Sequence, residues 1–110
     1  MSIMTNEFFK MDLSETGLLM FFKDYQLDAM RALWSNEPMN SREVWEAVGK
    51  DRISRASIIN FLDAAYNQGL LDKFERTGKG GHQGVYSPKY DEEGTKNFLK
   101  KIFKERLDRL

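Results

Sequence analysis

Three polar side chains in one predicted helix have the chemistry needed to bind the edges of DNA bases. Arg55, Ser57 and Asn60 lie within residues 54–68 but off the apolar stripe of that segment, which is formed by Ile58, Phe61, Leu62 and Ala65. An arginine guanidinium can donate two hydrogen bonds to guanine, and an asparagine amide can pair with adenine. The free backbone N–H groups after Ser54 favour a nearby phosphate. This pattern indicates direct reading of a base sequence.

A glycine-rich segment downstream carries further candidate DNA contacts. Residues 78–84 read Gly-Lys-Gly-Gly-His-Gln-Gly, which predicts a mobile hairpin tip rather than a tight two-residue turn. Lys79 and His82 at the tip, with Arg76 at its base, can follow a phosphate ridge or enter the minor groove. Arg42, on the preceding helix, is a further candidate. Taken by itself, the segment can equally be a solvated loop that contacts nothing.

Catalytic and metal-binding patterns find little support. His82 is the only histidine, there is no cysteine, and residues 78–81 lack the spacing and the following Ser or Thr of a phosphate-binding P-loop. The acidic run of residues 91–93 is explained by the dipole at a helix start. We therefore predict no enzyme activity, no catalytic residue, no metal and no cofactor.

Charge is distributed unevenly along the chain of 110 residues, although the formal net charge is zero. Residues 50–89 carry seven basic and four acidic side chains, whereas residues 1–34 carry three basic and five acidic ones. The basic excess coincides with the predicted DNA-reading segments. The longest apolar run, residues 18–22, is far shorter than the ~20 residues that cross a bilayer, and the first residues do not resemble a signal peptide. We expect a soluble, cytoplasmic protein.

Periodicity and capping signals predict three helices, a hairpin and a last helix. The helices fall at residues 25–34, 40–48, 54–68 and 91–110, and the strands at residues 70–77 and 85–88. Asn40 and Ser54 are the expected N-caps, Glu43 completes a capping box, and Gly69 suits the left-handed residue after a helix. The fold class is mainly α with a small β-hairpin, as in a winged helix-turn-helix with an added C-terminal helix.

The last helix carries an apolar stripe with two interpretations. It can fold back on its own domain or pair with a second chain, and we favour the pairing, which predicts a homodimer. The predicted dimer contacts are Phe98, Leu99, Ile102, Phe103, Leu107 and Leu110. Residues 1–24 form an N-terminal segment that can join this interface, because the apolar side chains of residues 18–22 also need cover. Residues 25–90 form the DNA-binding domain and residues 91–110 the dimerisation helix.

Residues 25–90 resemble the penicillinase-repressor (BlaI/MecI-type) winged-helix regulators. The resemblance rests on residues 25–34, 41–47, 57–63, 68–71 and 85–88, which include Arg-Glu-Val-Trp and Val-Tyr-Ser-Pro. It implies a dimer that represses promoters, with the third helix in the major groove and the hairpin as the wing. Family members commonly have Tyr-Thr-Thr where this chain has Arg55-Ala-Ser57, so the operator sequence does not transfer. The C-terminal region is also shorter than the usual dimerisation arm of the family.

The predicted function is that of a prokaryotic, sequence-specific repressor that binds double-stranded DNA as a homodimer and has no membrane partner. A winged-helix module that binds another protein is the alternative, which the zero net charge favours. A regulator gated by a small effector is a third, and the sequence identifies no effector.

Overall fold

Two helix starts are fixed by side chains that satisfy free backbone N–H groups. Asn40 accepts a hydrogen bond from the Glu43 N–H at 2.8 Å, and the Glu43 carboxylate accepts one from the Asn40 N–H, also at 2.8 Å. Ser54 accepts one from the Ser57 N–H at 3.1 Å. Such caps stabilise a helix by about 1 kcal/mol each. Both predicted N-caps, and the capping box, are confirmed.

The computed structural model describes residues 10–36, 38–78 and 81–110, apart from the side chain of His82. A 3-10 helix, Gly17–Met20, precedes the other elements. These follow in the order α1 (Asp24–Ser35), β1 (Met39–Asn40), α2 (Ser41–Val48), α3 (Arg55–Asn67), β2 (Leu71–Gly78), β3 (Gly81–Pro88) and α4 (Glu92–Leu107). The predicted fold class is confirmed: α2 and α3 form the helix-turn-helix, and the β2–β3 hairpin, called the wing below, follows it.

The sheet is larger than the sequence predicts. Its three antiparallel strands lie in the order β1-β3-β2, and the unpredicted β1 pairs Met39 with Tyr86. In the wing, the ladder of pairs runs from Leu71 with Pro88 to Gly78 with Gly81. The predicted loop over residues 78–84 is therefore wrong, since all but Lys79 and Gly80 belong to strands. Those two lie outside the described residues. Glycine is compatible with both a loop and a strand. Here the pairing of residues 81–84 with residues 75–78 makes the segment a strand.

The end of α3 has the predicted left-handed glycine. Gly69 has a φ of +90°, and the Leu70 N–H donates to the carbonyl of Ala65 at 2.9 Å. This is the hydrogen-bond pattern of a Schellman motif, in which the residue after the glycine packs back on the helix. Leu70 is fully buried and leads directly into β2.

The C-terminal helix packs on its own domain. Leu99 is fully buried in the core, and Phe98 and Phe103 are partly buried against the core. The ring centroid of Phe98 lies 5.1 Å from that of Tyr90, and the ring centroid of Phe103 lies 5.1 Å from that of Phe21. Ile102 also packs on this core, whereas Leu107 and Leu110 are exposed. Leu99 is thus a core residue of its own chain rather than a free dimer contact. The fold-back interpretation explains four of the six stripe residues.

The described part of the N-terminal segment is also covered by its own chain. Leu18 and Phe22 are buried in the core, and the Phe22 ring meets the Phe61 ring edge-on at 6.2 Å. Leu19 and Phe21 pack against the same core. The predicted role of residues 1–24 in a dimer rested on the assumption that these side chains need a partner to cover them. The monomer itself covers them.

Thr95 gives a stability prediction, because its hydroxyl is buried and has no hydrogen-bond partner within the part of the chain that is described. Thr95→Val keeps the β-branched shape and removes the unsatisfied polar atom, so we expect the free energy of unfolding to rise by about 1 kcal/mol. Urea denaturation measures this change. Thr16→Val, at an exposed position, is the control and should shift stability by less than ~0.5 kcal/mol. A loss of stability in Thr95→Val would mean that the hydroxyl is satisfied.

Candidate nucleic-acid interface

The turn between α2 and α3 fixes how the second helix of the pair is presented. Gly49 ends α2 with a φ of +126°, a conformation that favours glycine. The indole N–H of Trp45 then donates to the carbonyl of Ile53 at 2.8 Å, which ties the end of the turn back to α2. Arg52, within the turn, forms an ion pair with Asp28 of α1. The start of α3 is therefore held by contacts to both preceding helices.

The predicted base-reading residues lie at the start of α3 and outside the core. Arg55 and Asn60 are exposed, and Ser57 is half-buried. The Ser54 hydroxyl caps the helix and also donates to the Ser57 hydroxyl at 3.0 Å, so both serines are engaged in the cap. Arg55 and Asn60 are the side chains best placed to bind an external partner. Together, Arg55, Ser57 and Asn60 are called the reading face below.

The Arg76–Gln83 pair of the wing lies next to the start of α2, and Arg55 of the reading face reaches the same start. Arg55 Nη2 lies 3.5 Å from the Ser41 hydroxyl, and the neighbouring Asn40 amide donates to Gln83 of β3 at 3.0 Å. Arg76 of β2 forms an ion pair with Glu43 at 3.1 Å. The structure therefore brings Arg55, the start of α2 and the Arg76–Gln83 pair of the wing into one surface. Lys79 and the side chain of His82 lie outside what is described.

Glu43 is held in its charged form at this surface. The Asn40 N–H that donates to its carboxylate lowers the pKa of Glu43 most, and the Arg76 guanidinium lowers it further against a partial opposing effect of burial. The carboxylate is thus a fixed negative charge beside the wing. Glu43 and Arg76 are 33 residues apart in the chain, which is why no short-range sequence pattern predicts the pair.

A second contact that the sequence reasoning missed joins the wing to α3. The Tyr86 hydroxyl donates to the Asp63 carboxylate at 2.8 Å, and Lys73 Nζ lies 3.5 Å from the same carboxylate. Burial raises the pKa of Tyr86, and its hydrogen bond to Asp63 adds to this. The pKa of Lys73 is raised by the Tyr86 oxygen, which becomes negative on deprotonation, and then by the Asp63 carboxylate. The register pair of Lys73 and Tyr86 places both on the face of the wing that contacts α3.

Most cations of this surface have carboxylate partners. Arg42 lies 3.7 Å from Glu46, which also pairs with Lys50 at 3.2 Å. Arg76 and Lys73 are paired as described, whereas Arg55 contacts a hydroxyl. The local basic excess of the sequence is therefore largely neutralised by neighbouring acids. Arg55 differs in this respect from Arg42, Lys73 and Arg76.

The described residues also bear on metal, membrane and small-ligand sites. Within residues 10–36, 38–78 and 81–110, no group of three or more His, Asp or Glu side chains is arranged to hold a metal ion. None of the helices in those ranges has the length and apolar character needed to cross a membrane. An open depression of about 520 Å³ lies between the 3-10 helix, α1 and the start of α4. It mixes Arg31 and Lys96 with Asp24 and Glu92, so it favours neither sign of ligand charge.

Comparisons with known proteins agree with this architecture. No protein-family model matches the sequence, and no curated protein is similar to it. Among solved structures, a possible transcriptional regulator from Methanosarcina mazei Go1 aligns with a TM-score of 0.63 and 13% identity, over 80% of this chain and 72% of its own. The DNA-binding domain of the repressor BlaI aligns with a TM-score of 0.51 and 25% identity, over 64% of this chain and 82% of that domain. The chain has a BlaI-like winged-helix fold.

Proposed function

We propose that this protein is a sequence-specific DNA-binding transcriptional regulator that acts as a homodimeric repressor in the prokaryotic cytoplasm. The observation that carries the proposal is the exposure of Arg55 and Asn60 in the first two turns of α3, with Arg55 beside the start of α2, which in turn contacts Gln83 of the wing. In a helix-turn-helix, residues at this position contact base edges in the major groove. One structural neighbour is the DNA-binding domain of a repressor and another a possible transcriptional regulator, which supports the proposal.

Each part of the surface has its own role in this proposal. Arg55 and Asn60 read base edges, and the N-terminal N–H groups of α3, after Ser54, lie against a phosphate. Lys79 and His82 extend from the wing to the backbone or the minor groove, and Arg42 contacts the backbone beside α2. Phosphate contacts position the protein, while the base contacts select the sequence.

The proposed homodimer uses the end of α4. Leu107 and Leu110 are exposed apolar side chains there, next to the partly buried Phe103. A twofold dimer would present two copies of α3 to half-sites about 10 base pairs apart. Sedimentation equilibrium of the free protein and of its DNA complex measures the number of chains in each.

Selection of bound fragments from randomised double-stranded DNA tests the proposal directly. We expect enrichment of an inverted repeat whose half-sites lie about one DNA turn apart. Recovery of unenriched sequences at every round would contradict sequence-specific binding. Enrichment of a single half-site would contradict the dimer but would agree with base reading by α3.

A winged-helix module that binds another protein is the second candidate. The neutralised cations of the surface, Arg42, Lys73 and Arg76, favour it, since a phosphate ligand must compete with their carboxylate partners. Elution from heparin separates the two functions: a DNA-binding protein is retained to high salt, whereas a protein-binding module elutes early.

Lys79→Ala gives a quantitative test of phosphate contact by the wing. Each lost phosphate contact lowers the slope of log affinity against log salt by about 0.9, so we expect a slope smaller by about one and similar weakening on all DNA sequences. Fluorescence anisotropy over a salt series measures the slope. Lys101→Ala, on α4, is the matched control and should leave it unchanged. Equal salt slopes for Lys79→Ala and the parent would mean that Lys79 makes no phosphate contact.

A further inference from the structure

The guanidinium of Arg76 is engaged within its own chain. Its Nη2 lies 3.1 Å from the Glu43 carboxylate and 3.4 Å from the side-chain oxygen of Gln83, and its Nη1 lies 3.5 Å from the carbonyl of Pro38. Both terminal nitrogens therefore have acceptors, Nη2 on the start of α2 and on β3, and Nη1 on the residue that precedes β1. The sequence pattern, in contrast, assigns Arg76 to a DNA phosphate.

The acceptors of Arg76 are themselves fixed. The Glu43 oxygen that binds Arg76 also accepts the Asn40 N–H of the capping box at 2.8 Å. Gln83 lies directly opposite Arg76 in the β2–β3 ladder and accepts from the Asn40 amide at 3.0 Å. Arg76, Gln83, Asn40 and Glu43 thus link β2, β3 and the start of α2. This set of four residues is called the wing tie below.

Release of Arg76 to a phosphate would be unfavourable for an electrostatic reason. It would leave the Glu43 carboxylate without its cation, close to an incoming polyanion. Like charges brought together in this way repel, and the repulsion would offset the new contact. The carboxylate cannot swing away without breaking the capping box at the start of α2.

We propose that Arg76 is a positioning residue that holds the wing at a fixed angle to α2, and that it does not bind phosphate. The proposal rests on the proposed function, since the purpose of the fixed angle is to let the wing and the reading face meet one duplex. The opposite arrangement, in which DNA draws Arg76 away from Glu43, is an outcome of the test.

Salt dependence of DNA binding separates the two roles. The double variant Arg76→Ala/Glu43→Gln removes the cation without leaving an unpaired carboxylate beside the DNA. It is expected to weaken binding while its salt slope stays that of the parent, whereas loss of a phosphate contact lowers the slope by about 0.9. Lys79→Ala is the control for such a loss. A slope for the double variant that falls by about one would overturn the proposal.

Glu43→Gln tests the same tie from the other side. The glutamine side chain can still accept the Asn40 N–H, so α2 keeps its cap while the charge pair with Arg76 is lost. An exposed ion pair contributes a factor of about 1.5 to 5 to an equilibrium constant, and we expect binding to weaken by that factor. In the double variant with Arg76→Ala, the losses should not add. Tighter binding by Glu43→Gln with a steeper salt slope would mean that Arg76 had been withheld from DNA, and would overturn the proposal.

Hydrogen exchange of the free protein tests the tie without DNA. Glu43→Gln and Arg76→Ala should each speed exchange of the β2–β3 amides by about 1.5- to 5-fold and leave those of α4 unchanged. Unchanged exchange in the wing would overturn the positioning role. If the parent binds no DNA, the proposed function fails, and this measurement still decides whether Arg76 holds the wing.

Discussion

Leu99→Ala is expected to lower the free energy of unfolding by about 2–5 kcal/mol, the range for a leucine removed from a packed core. Leu99 has no exposed surface, and its helix is held on the domain by ring contacts on either side, Phe98 with Tyr90 and Phe103 with Phe21. Truncation would leave a cavity that these rings cannot readily fill. Urea denaturation at a fixed protein concentration measures the loss.

Leu107→Ala is the matched control on the same helix. Its side chain is 58% exposed, so the stability of the folded monomer should change by less than ~0.5 kcal/mol. Its proposed role is in self-association, which sedimentation measures independently of unfolding. If Leu99→Ala left the monomer stable and only dissociated a dimer, the assignment of Leu99 to the core of its own chain would be wrong.

Signals that act over a few residues could be predicted from the sequence. The caps at Asn40 and Ser54 and the left-handed Gly69 depend on groups within one helical turn, so the residue types suffice to identify them. The same holds for the exposure of Arg55 and Asn60, which follows from the period of the helix. These local rules gave the order of elements and the reading face.

Features that depend on distant partners could not be predicted in this way. The wing is long because Gly81–Pro88 pairs along its whole length with Leu71–Gly78, whereas its glycine content by itself suggests a loop. The sequence likewise identified Arg76 as a cation but not its carboxylate partner on α2. Charge counted along a segment therefore overestimates the positive potential that the folded surface offers to DNA.

The apolar stripe of α4 shows a related ambiguity. Periodicity identifies one buried face, but it does not say whether the cover comes from the same chain or from a second one. Phe21 and Tyr90 provide that cover here, from segments before α1 and after β3. What the stripe leaves for a partner is Leu107 in the last turn of α4 and Leu110 just beyond it, a smaller surface than the whole stripe.

Arg55→Ala is expected to weaken binding to the selected operator by about 1–3 kcal/mol, or roughly 5- to 150-fold, and to relax base preference at one position of each half-site. Among the residues that the structure describes, the Ser41 hydroxyl is the one hydrogen-bond partner of the Arg55 side chain, at the long distance of 3.5 Å, so little is lost when Arg55 turns to a base. Competition binding with operators altered one base pair at a time measures both effects.

Arg55→Lys distinguishes base reading from charge. Lysine keeps the positive charge but lacks the planar fork that binds guanine through two hydrogen bonds. We therefore expect it to retain the salt slope of the parent and to lose most of the discrimination at the affected position. Arg31→Ala, an exposed arginine on α1, is the control and should change neither. If Arg55→Ala instead flattened the salt slope while every base preference stayed intact, Arg55 would be a phosphate contact, and base reading by α3 would have to rest on Asn60.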